Sequence, residues 1–244
     1  MIGAFLNALG ILLGALLGLT GRGELSARVQ NQAKSLLGAL TAFCGLQLVW
    51  LNVGGGFWSV LKQLFLAGLA VGLGSLLGKI LGLQKFSNRL GRQASALLAA
   101  GSSATGRPAT GKKSDGFIAG TILFCAAPLG ILGAVTDGLG GYFFPLALKG
   151  VMDGLATVGF IKMFRWPVAL AALPVFFFLN DVALAAHAFA RPWLEAHHLL
   201  PAVNAAAGLV ICTTALVVLE VRRVELANYL PALFVAPLLT RLFH

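Results

Sequence analysis

The feature that most constrains this chain is a succession of apolar runs, each close to the length a helix needs to cross a bilayer. A transmembrane helix takes about 20 predominantly apolar residues, and runs near that length recur along all 244 residues. They lie at 2–20, 31–53, 57–82, 116–136, 142–163, 166–189, 199–221 and 227–243. The sequence therefore predicts an all-α, polytopic membrane helix bundle of about eight spans, or seven if the short last run does not cross.

The charge content supports this interpretation. Charged residues make up 11% of the chain and hydrophobic residues 58%. A soluble domain has about 25% charged residues, so lipid must solvate most of this surface. We expect one membrane domain, 1–244, with one flexible basic loop at 83–115. The first part of that loop is also compatible with a basic amphipathic helix on an anionic membrane surface, but its small polar residues favour a solvated linker.

Lysine and arginine are concentrated in alternate connections between the runs. The even connections and the tail contain only Arg191 and Arg241. The odd connections contain Arg22, Arg28, Lys34, Lys79, Lys85, Arg89, Arg92, Arg107, Lys112, Lys113, Lys162, Arg165, Arg222 and Arg223. The positive-inside rule places such connections in the cytoplasm. We therefore predict a multi-pass protein of the bacterial inner membrane, with both termini outside and the 83–115 loop cytoplasmic. The same rule explains the net charge of +10 without a nucleic-acid partner.

Glycines at four-residue spacing line the first and third runs. Small residues at this spacing let neighbouring helix backbones approach closely, within the chain or across a dimer interface. We expect a two-fold homodimer on the base rate of symmetric assemblies. The glycines are Gly10, Gly14 and Gly18 in the first run and Gly68, Gly72, Gly74, Gly78 and Gly82 in the third.

Two ionisable residues lie within the fifth run. Lys149 and Asp153 are four residues apart, and this spacing places both on one face of a helix. An ionisable group in a span costs roughly 2.5–3.5 kcal/mol on insertion scales and usually faces the bundle interior. One interpretation is a pair that lines a path for a solute or ion, with Asp153 exchanging a proton or cation. The other is a structural pair whose charges only neutralise each other.

The fourth run contains Pro128 near its centre. Proline lacks an N–H, so it frees the carbonyl of Phe124. Broken helices of this kind form binding sites at the midplane of many transporters, although a simple kink is as common. Asp137 begins the sequence DGLGG, which we interpret as a flexible outer turn and a further candidate contact.

The remaining candidate contacts are polar residues near the ends of the runs. Asn7 and Asn228 lie near the starts of the first and last runs, where an amide can cap a helix, bond across helices or line a pore. Asp181 lies in the outer third of the sixth run, either in a water-filled vestibule or snorkelling to the surface. The proposed substrate- or ion-binding residues are Lys149, Asp153, Asp137, Asn7, Pro128, Asp181 and Asn228.

No catalytic, cofactor or metal motif is recognisable. The chain lacks HExxH, GxSxG, GxxxxGK[ST] and a GxGxxG that follows a strand. Its three cysteines lie inside apolar runs, as small buried hydrophobic residues do. The adjacent histidines His197 and His198 lack a spacing specific to metal. We predict no cofactor, no metal site and no enzymatic activity.

Four segments together resemble one family. They are GAFLNALGILLGALLG, DGFIAGTILFCAAPLGILGAVTDGLGG, LALKGVMDG and VELANYLPALFVAPLL, which occur in this order over nearly the whole chain. They resemble the YdfK/YqgA-type bacterial membrane proteins, the domain-of-unknown-function family 554 (DUF554). The resemblance implies a bacterial membrane protein and supplies no substrate. The matching positions are Asn7, Asp115, Gly116, Phe117, Phe124, Cys125, Asp137, Gly138, Lys149, Asp153, Gly154, Asn228, Leu230 and Pro231.

These features favour one function and leave two alternatives. The leading hypothesis is a transporter of a small solute or ion, coupled to a proton or cation through the buried Lys/Asp pair. The first alternative is a passive, channel-like pore. The second is a membrane scaffold that recruits a partner through its basic cytoplasmic loop. The expected partners are therefore membrane lipid and a small solute or ion.

Overall fold

The computed structural model describes residues 2–21, 26–101 and 113–243, and nearly all of them are helical. No strand occurs within these ranges. Short 3₁₀ segments, Trp166–Ala171 and Leu226–Tyr229, precede α8 and α11, and a π turn, Ala186–Ala190, joins α8 to α9. The α-helices are α1 (Ile2–Thr20), α2 (Ala27–Asn52), α3 (Phe57–Ile80), α4 (Leu83–Gly101), α5 (Lys113–Ala126), α6 (Pro128–Gly140), α7 (Phe144–Phe164), α8 (Ala172–Ala185), α9 (Arg191–Ala196), α10 (Leu200–Val218) and α11 (Ala232–Leu242).

The predicted all-α membrane bundle is confirmed, with two differences in the spans. Among the described residues, six helical stretches are long and apolar enough to cross a membrane, at Ile2–Thr20, Arg28–Asn52, Phe57–Ile80, Phe144–Phe164, Trp166–Ala196 and Leu200–Val218. The predicted fourth span, 116–136, is instead the pair α5 and α6, bent by 58°. The predicted eighth span, 227–243, is the shorter apolar stretch Leu226–Leu242.

The bend between α5 and α6 follows from one proline. Pro128 is the first residue of α6, a position that tolerates its missing N–H. Proline also disfavours the helical conformation of the residue before it. Ala127 accordingly adopts an extended conformation, with φ −67° and ψ 120°. The two helices together form one interrupted crossing.

Helices α1 and α7 pack side by side and run in the same direction. Gly10 lies against Gly150, and Gly14 lies against Gly154. A Cβ atom on Gly10 or Gly14 would overlap the backbone carbonyl opposite, so the two backbones are in direct contact. Parallel helices require an odd number of crossings between them. Helices α2 and α3 and the bent pair supply three.

Helices α2 and α10 are antiparallel. At one end of the pair, Asn204 donates from Nδ2 to Asn52 Oδ1 at 3.0 Å. At the other end, Lys34 forms an exposed ion pair of 2.6 Å with Glu220. The hydrogen bond and positive charge of Lys34 lower the pKa of the Glu220 carboxyl. Both contacts agree with a chain that crosses in alternating directions.

Helix α11 runs antiparallel along most of α3. Gly78, near the end of α3, lies against Asn228. At the other end of α3, Lys62 donates from Nζ to the carbonyl oxygen of Phe243 at 2.8 Å. The last apolar stretch is therefore short but extends from one end of α3 nearly to the other.

These pairings gather the connections at two ends of the bundle. We call one the basic end; it comprises the ends of α1, α3, α7 and α10 together with the start of α2. We call the other the far end; it comprises the connections 52–57, 140–144 and 196–200. The odd connections, which contain most of the lysines and arginines, meet at the basic end.

The expectation of a flexible linker is wrong for residues 83–101, which form α4. The rest of that loop, 102–112, lies outside the described residues. Gln84 fixes the start of α4: its N–H donates to Asn228 Oδ1 at 3.1 Å, and its Oε1 accepts from the Ala227 N–H at 3.2 Å. Ala94 is fully buried, and α4 packs against α5. The sequence had left a helix open as the alternative here, and it could not show the tertiary contacts that favour the helix over a linker.

Large apolar side chains point outward from the bundle. An exposed apolar surface of this extent on a soluble protein would cause association. On a helix bundle of this composition it is the surface that lipid covers. Examples are Leu17, Trp50, Phe65, Leu173 and Phe234, each more than half exposed.

The α1–α7 contact generates a first prediction. Gly14→Ala should lower the free energy of unfolding by about 1–3 kcal/mol, because the added methyl group forces two touching backbones apart. Gly72→Ala is the matched control: a Cβ at Gly72 meets nothing within 4 Å. It should leave stability unchanged or raise it by up to about 1 kcal/mol, since alanine favours helix. The measurement is thermal unfolding of both variants in the same detergent. Equal effects of the two substitutions would contradict the contact.

Candidate functional site

Lys149 and Asp153 form a buried ion pair on α7. Only 2% of Lys149 and 8% of Asp153 is exposed. Lys149 donates from Nζ to Asp153 Oδ2, one helical turn further on. The four-residue spacing in the sequence thus does place both side chains on the same inward face. Such a pair is tolerated in the interior because each charge neutralises the other.

Asn7 completes the pair from α1. Its Nδ2 donates to Asp153 Oδ2 at 3.0 Å, and Asn7 is fully buried. The close approach of α1 to α7 at Gly150 and Gly154 brings this short side chain within reach. Asn7 Oδ1 has no hydrogen-bond partner among the described residues. The cluster therefore contains an unused buried acceptor beside its carboxylate, and such an atom ordinarily has a partner.

The break between α5 and α6 lies next to this cluster. A Cβ added at Gly130, in the first turn of α6, would lie 2.8 Å from Lys149 Cε. The absence of a side chain at Gly130 thus makes room for the lysine. Lys149 Nζ also lies 5.9 Å from the centre of the Phe124 ring, near the end of α5. Pro128 is therefore placed close to the ion pair, as the broken-helix interpretation requires.

Sequence reasoning did not assign a role to three residues around the pair. Gly130 and Phe124 contact Lys149 as described. The only local signal for Gly130 is its position two residues after Pro128, in the sequence PLG. Thr157 is fully buried and donates from Oγ1 to the backbone carbonyl of Asp153 at 2.7 Å. Its position one turn after Asp153 on the same face could have indicated it.

Asp137 occupies a different position from the one predicted. The sequence DGLGG does not form a flexible turn at Asp137, because α6 continues to Gly140. Asp137 is buried, and its Oδ2 accepts from the backbone N–H of Gly3 at 3.0 Å. A carboxylate at a helix N-terminus satisfies a free donor and complements the helix dipole. Asp137 therefore anchors the start of α1 one turn before Asn7.

Asn228 lies at the basic end, away from the ion pair. Its Nδ2 donates to Glu225 Oε2 at 2.7 Å, and its Oδ1 accepts from the Gln84 N–H. These bonds join the 3₁₀ segment before α11 to the start of α4. The structure thus gives Asn228 a role in joining helices and does not bring it to the candidate site.

Asp181 is exposed on the outer face of α8. It therefore does not join the buried cluster on α7. Among the described residues, no three histidine, cysteine, aspartate or glutamate side chains are grouped so that they could hold a metal ion.

The chemistry of the cluster depends on its charge balance. With Lys149 protonated and Asp153 ionised, the pair is neutral. A proton on Asp153 would leave the ammonium of Lys149 unbalanced in a buried site, which is costly. An anion bound at Lys149 would restore neutrality. The arrangement can thus link uptake of a proton at Asp153 to binding of an anion nearby.

Comparison with known proteins gives one family and two relatives. The family described as "Protein of unknown function (DUF554)" matches residues 2–241. The "Uncharacterized membrane protein YdfK" of Bacillus subtilis is 24% identical over 246 residues, covering 100% of this chain and 97% of the relative. The "Uncharacterized protein YqgA" of Escherichia coli is 28% identical over 236 residues, covering 97% and 94%. No solved structure matches.

The buried pair generates a second prediction, a double-mutant cycle. Lys149→Met and Asp153→Leu should each lower the free energy of unfolding by about 3–5 kcal/mol, because each leaves one uncompensated charge in the interior. The double variant should recover most of this loss. Denaturant unfolding of the purified protein measures all three.

The exposed pair Lys34–Glu220 is the control for this cycle. Lys34→Met should cost no more than about 1 kcal/mol, because water screens that pair. If the two single losses at Lys149 and Asp153 simply add in the double variant, the two side chains do not interact as described.

Proposed function

The chain belongs to the DUF554 family of membrane proteins of unknown function, and from that premise we propose that it transports a small solute or ion across the bacterial inner membrane. The observation that supports this proposal is the buried Lys149–Asp153 pair beside an interrupted helix. Ionisable groups at this depth are rare and costly, and in transporters they form substrate or proton sites. Broken helices supply the other half of such sites.

The proposed coupling uses the charge balance of the pair. Asp153 exchanges a proton or a small cation, and Lys149 alternates between its partner carboxylate and an anionic group of the solute. Asn7 holds one oxygen of Asp153 and offers its own unpaired Oδ1 as an additional ligand. In each state the buried charges sum to zero or near it, which keeps the barrier to movement low.

The proposed orientation follows from the charge distribution. The connections that meet at the basic end contain most of the lysines and arginines, and such loops stay in the cytoplasm. On this basis we propose that the far end and both chain termini lie outside. Both relatives named above are bacterial proteins, and the inner (plasma) membrane is the location that we propose.

A scaffold is the second candidate function, and α4 supports it. Lys85, Arg89 and Arg92 are exposed on α4 at the basic end, where they could bind an acidic partner. Replacing these three with glutamine separates the candidates. A scaffold would lose its partner, whereas a transporter would retain its flux because these exposed side chains are not part of the Lys149–Asp153 cluster.

A third prediction tests the role of Asp153 in transport. The substrate class comes first: a solute that binds the folded protein raises its unfolding temperature by mass action, so a panel of ions and metabolites is screened in this way. Uptake of the stabilising solute into proteoliposomes is then measured under an imposed proton or sodium gradient. Asp153→Asn should reduce saturable uptake to the background of empty vesicles.

Asp181→Asn is the matched control, since it removes an exposed carboxylate from a neighbouring crossing. It should transport at the wild-type rate. Normal uptake by a folded Asp153→Asn variant would exclude Asp153 from the mechanism. Wild-type flux that never saturates with solute concentration would replace the transporter by a passive pore.

A further inference from the structure

A cavity lies at the far end, and it is separate from the ion pair on α7. It has a volume of about 380 Å³ and opens between the 52–57 connection, the starts of α3 and α10 and the end of α11. Its polar lining includes Asn52, Ser59, Lys62, Gln63, His198 and Thr240. Small-molecule sites range from about 300 to 1,000 Å³, so this cavity suits a small ligand.

The lining of the cavity bears one positive charge, and no carboxylate of the described residues balances it. Lys62 is the charged residue that lines the cavity, and no aspartate or glutamate does so. Its Nζ donates one hydrogen bond, to the carbonyl oxygen of Phe243, and no carboxylate pairs with it among the residues that the structure describes. The charge lies at the end of the bundle where basic residues are few. Lys62 is exposed, so its ammonium is available to an anionic group that enters the cavity.

His198 reaches the same cavity from an unusual backbone position. Its φ is 56°, in the left-handed region, directly after the end of α9. This position after a helix is usually glycine, because a side chain is disfavoured there. In this chain the position bears an imidazole that lines the cavity. An imidazole can donate a hydrogen bond to an anion and gains a charge when protonated.

Two helices also begin at the cavity without a side-chain cap. Neither α3 nor α10 has a capping hydrogen bond from a side chain at its start. The first N–H groups of a helix need acceptors, and the positive end of the dipole favours negative charge. Both helix starts thus add to the positive potential of Lys62.

The polar groups continue inward from the cavity. Asn52 lines it and accepts a hydrogen bond from Asn204, which is 6% exposed. Asn204 Oδ1 has no partner among the described residues. A buried acceptor without a donor indicates a ligand or water that supplies one. A water that bridges this oxygen and a bound anion would do so.

The remaining lining is apolar and selects among anions. Leu66, Ala67, Ala202, Ala205 and Ala236 form it. A free phosphate has no apolar part and would leave these side chains uncovered. A short hydrocarbon chain attached to a carboxylate would cover them and place its charge at Lys62.

We propose that this cavity binds a small organic carboxylate, with Lys62 and His198 holding the carboxylate and the alanine-rich wall of α3, α10 and α11 holding its hydrocarbon part. This binding site is separate from the transport site that we propose at Asp153. Its lining contains none of Asn7, Lys149 and Asp153, and the proposal concerns binding alone. Its test therefore needs no transport.

The experiment titrates purified wild-type protein with butyrate and follows heat of binding and unfolding temperature. Butyramide, which has the same shape without charge, and butylammonium, which has the opposite charge, are the matched probes. Butyrate should bind and raise the unfolding temperature, and the other two should not. Lys62→Gln should weaken butyrate binding about tenfold or more, as expected for loss of a hydrogen bond to a charged group.

Three further variants keep the test decisive. Lys62→Arg should retain binding, which separates loss of charge from loss of fold, and Ala202→Leu should block binding by filling the cavity. Arg241→Gln removes an exposed charge from α11 that does not line the cavity and should bind normally. Equal binding of butyrate and butyramide, equal losses from Lys62→Gln and Arg241→Gln, or no binding of butyrate would each overturn the proposal.

Discussion

The direct backbone contact between α1 and α7 is the constraint on which the rest of the candidate site depends. At Gly10 and Gly14 on one side and Gly150 and Gly154 on the other, neither helix has a side chain to hold the partner away. The short amide of Asn7 can therefore reach across to the carboxylate on α7. In a membrane there is little hydrophobic drive between helices, so packing of this kind and the hydrogen bonds it permits must supply the association.

The second element of the site is an interruption of regular structure. Where α5 ends and α6 begins, Gly130 has no side chain and the ring of Phe124 faces the ammonium of Lys149. The lysine thus has a pocket formed by two helix ends and a carboxylate partner one turn along its own helix. The ammonium of Lys149 lies near the Phe124 ring at the end of α5 and bonds Asp153. It therefore has a favourable neighbour besides the carboxylate.

The sequence predicted the membrane class and the pair on α7 because both follow from local rules, run length and helical periodicity. It could not predict that Asn7 joins Asp153, because the two lie 146 residues apart. Asp137 was assigned to a turn because glycines follow it, yet helix–helix packing in the bundle keeps that segment helical. Asn228 was predicted to cap a helix, bond across helices or line a pore, and the structure shows the second of these, at the basic end. The sequence could not choose among them, since an amide near the start of a run is suited to each role. Composition likewise favoured a linker over a helix at 83–101, because it does not show the tertiary hydrogen bonds that hold α4.

The pairing of α1 with α7 also has a consequence for biogenesis. A ribosome adds about 5–20 residues per second, so the segment containing Asp153 emerges roughly 7–30 s after Asn7, from which it is separated by 146 positions. During that interval α1 sits in the bilayer with its glycine face and a polar amide unpartnered. Its early companions, α2 and α3, have their own main partners, α10 and α11, still later in the chain. Nascent α1 therefore needs a temporary neighbour, and the insertion machinery or its lipid must shield that face until α7 has emerged.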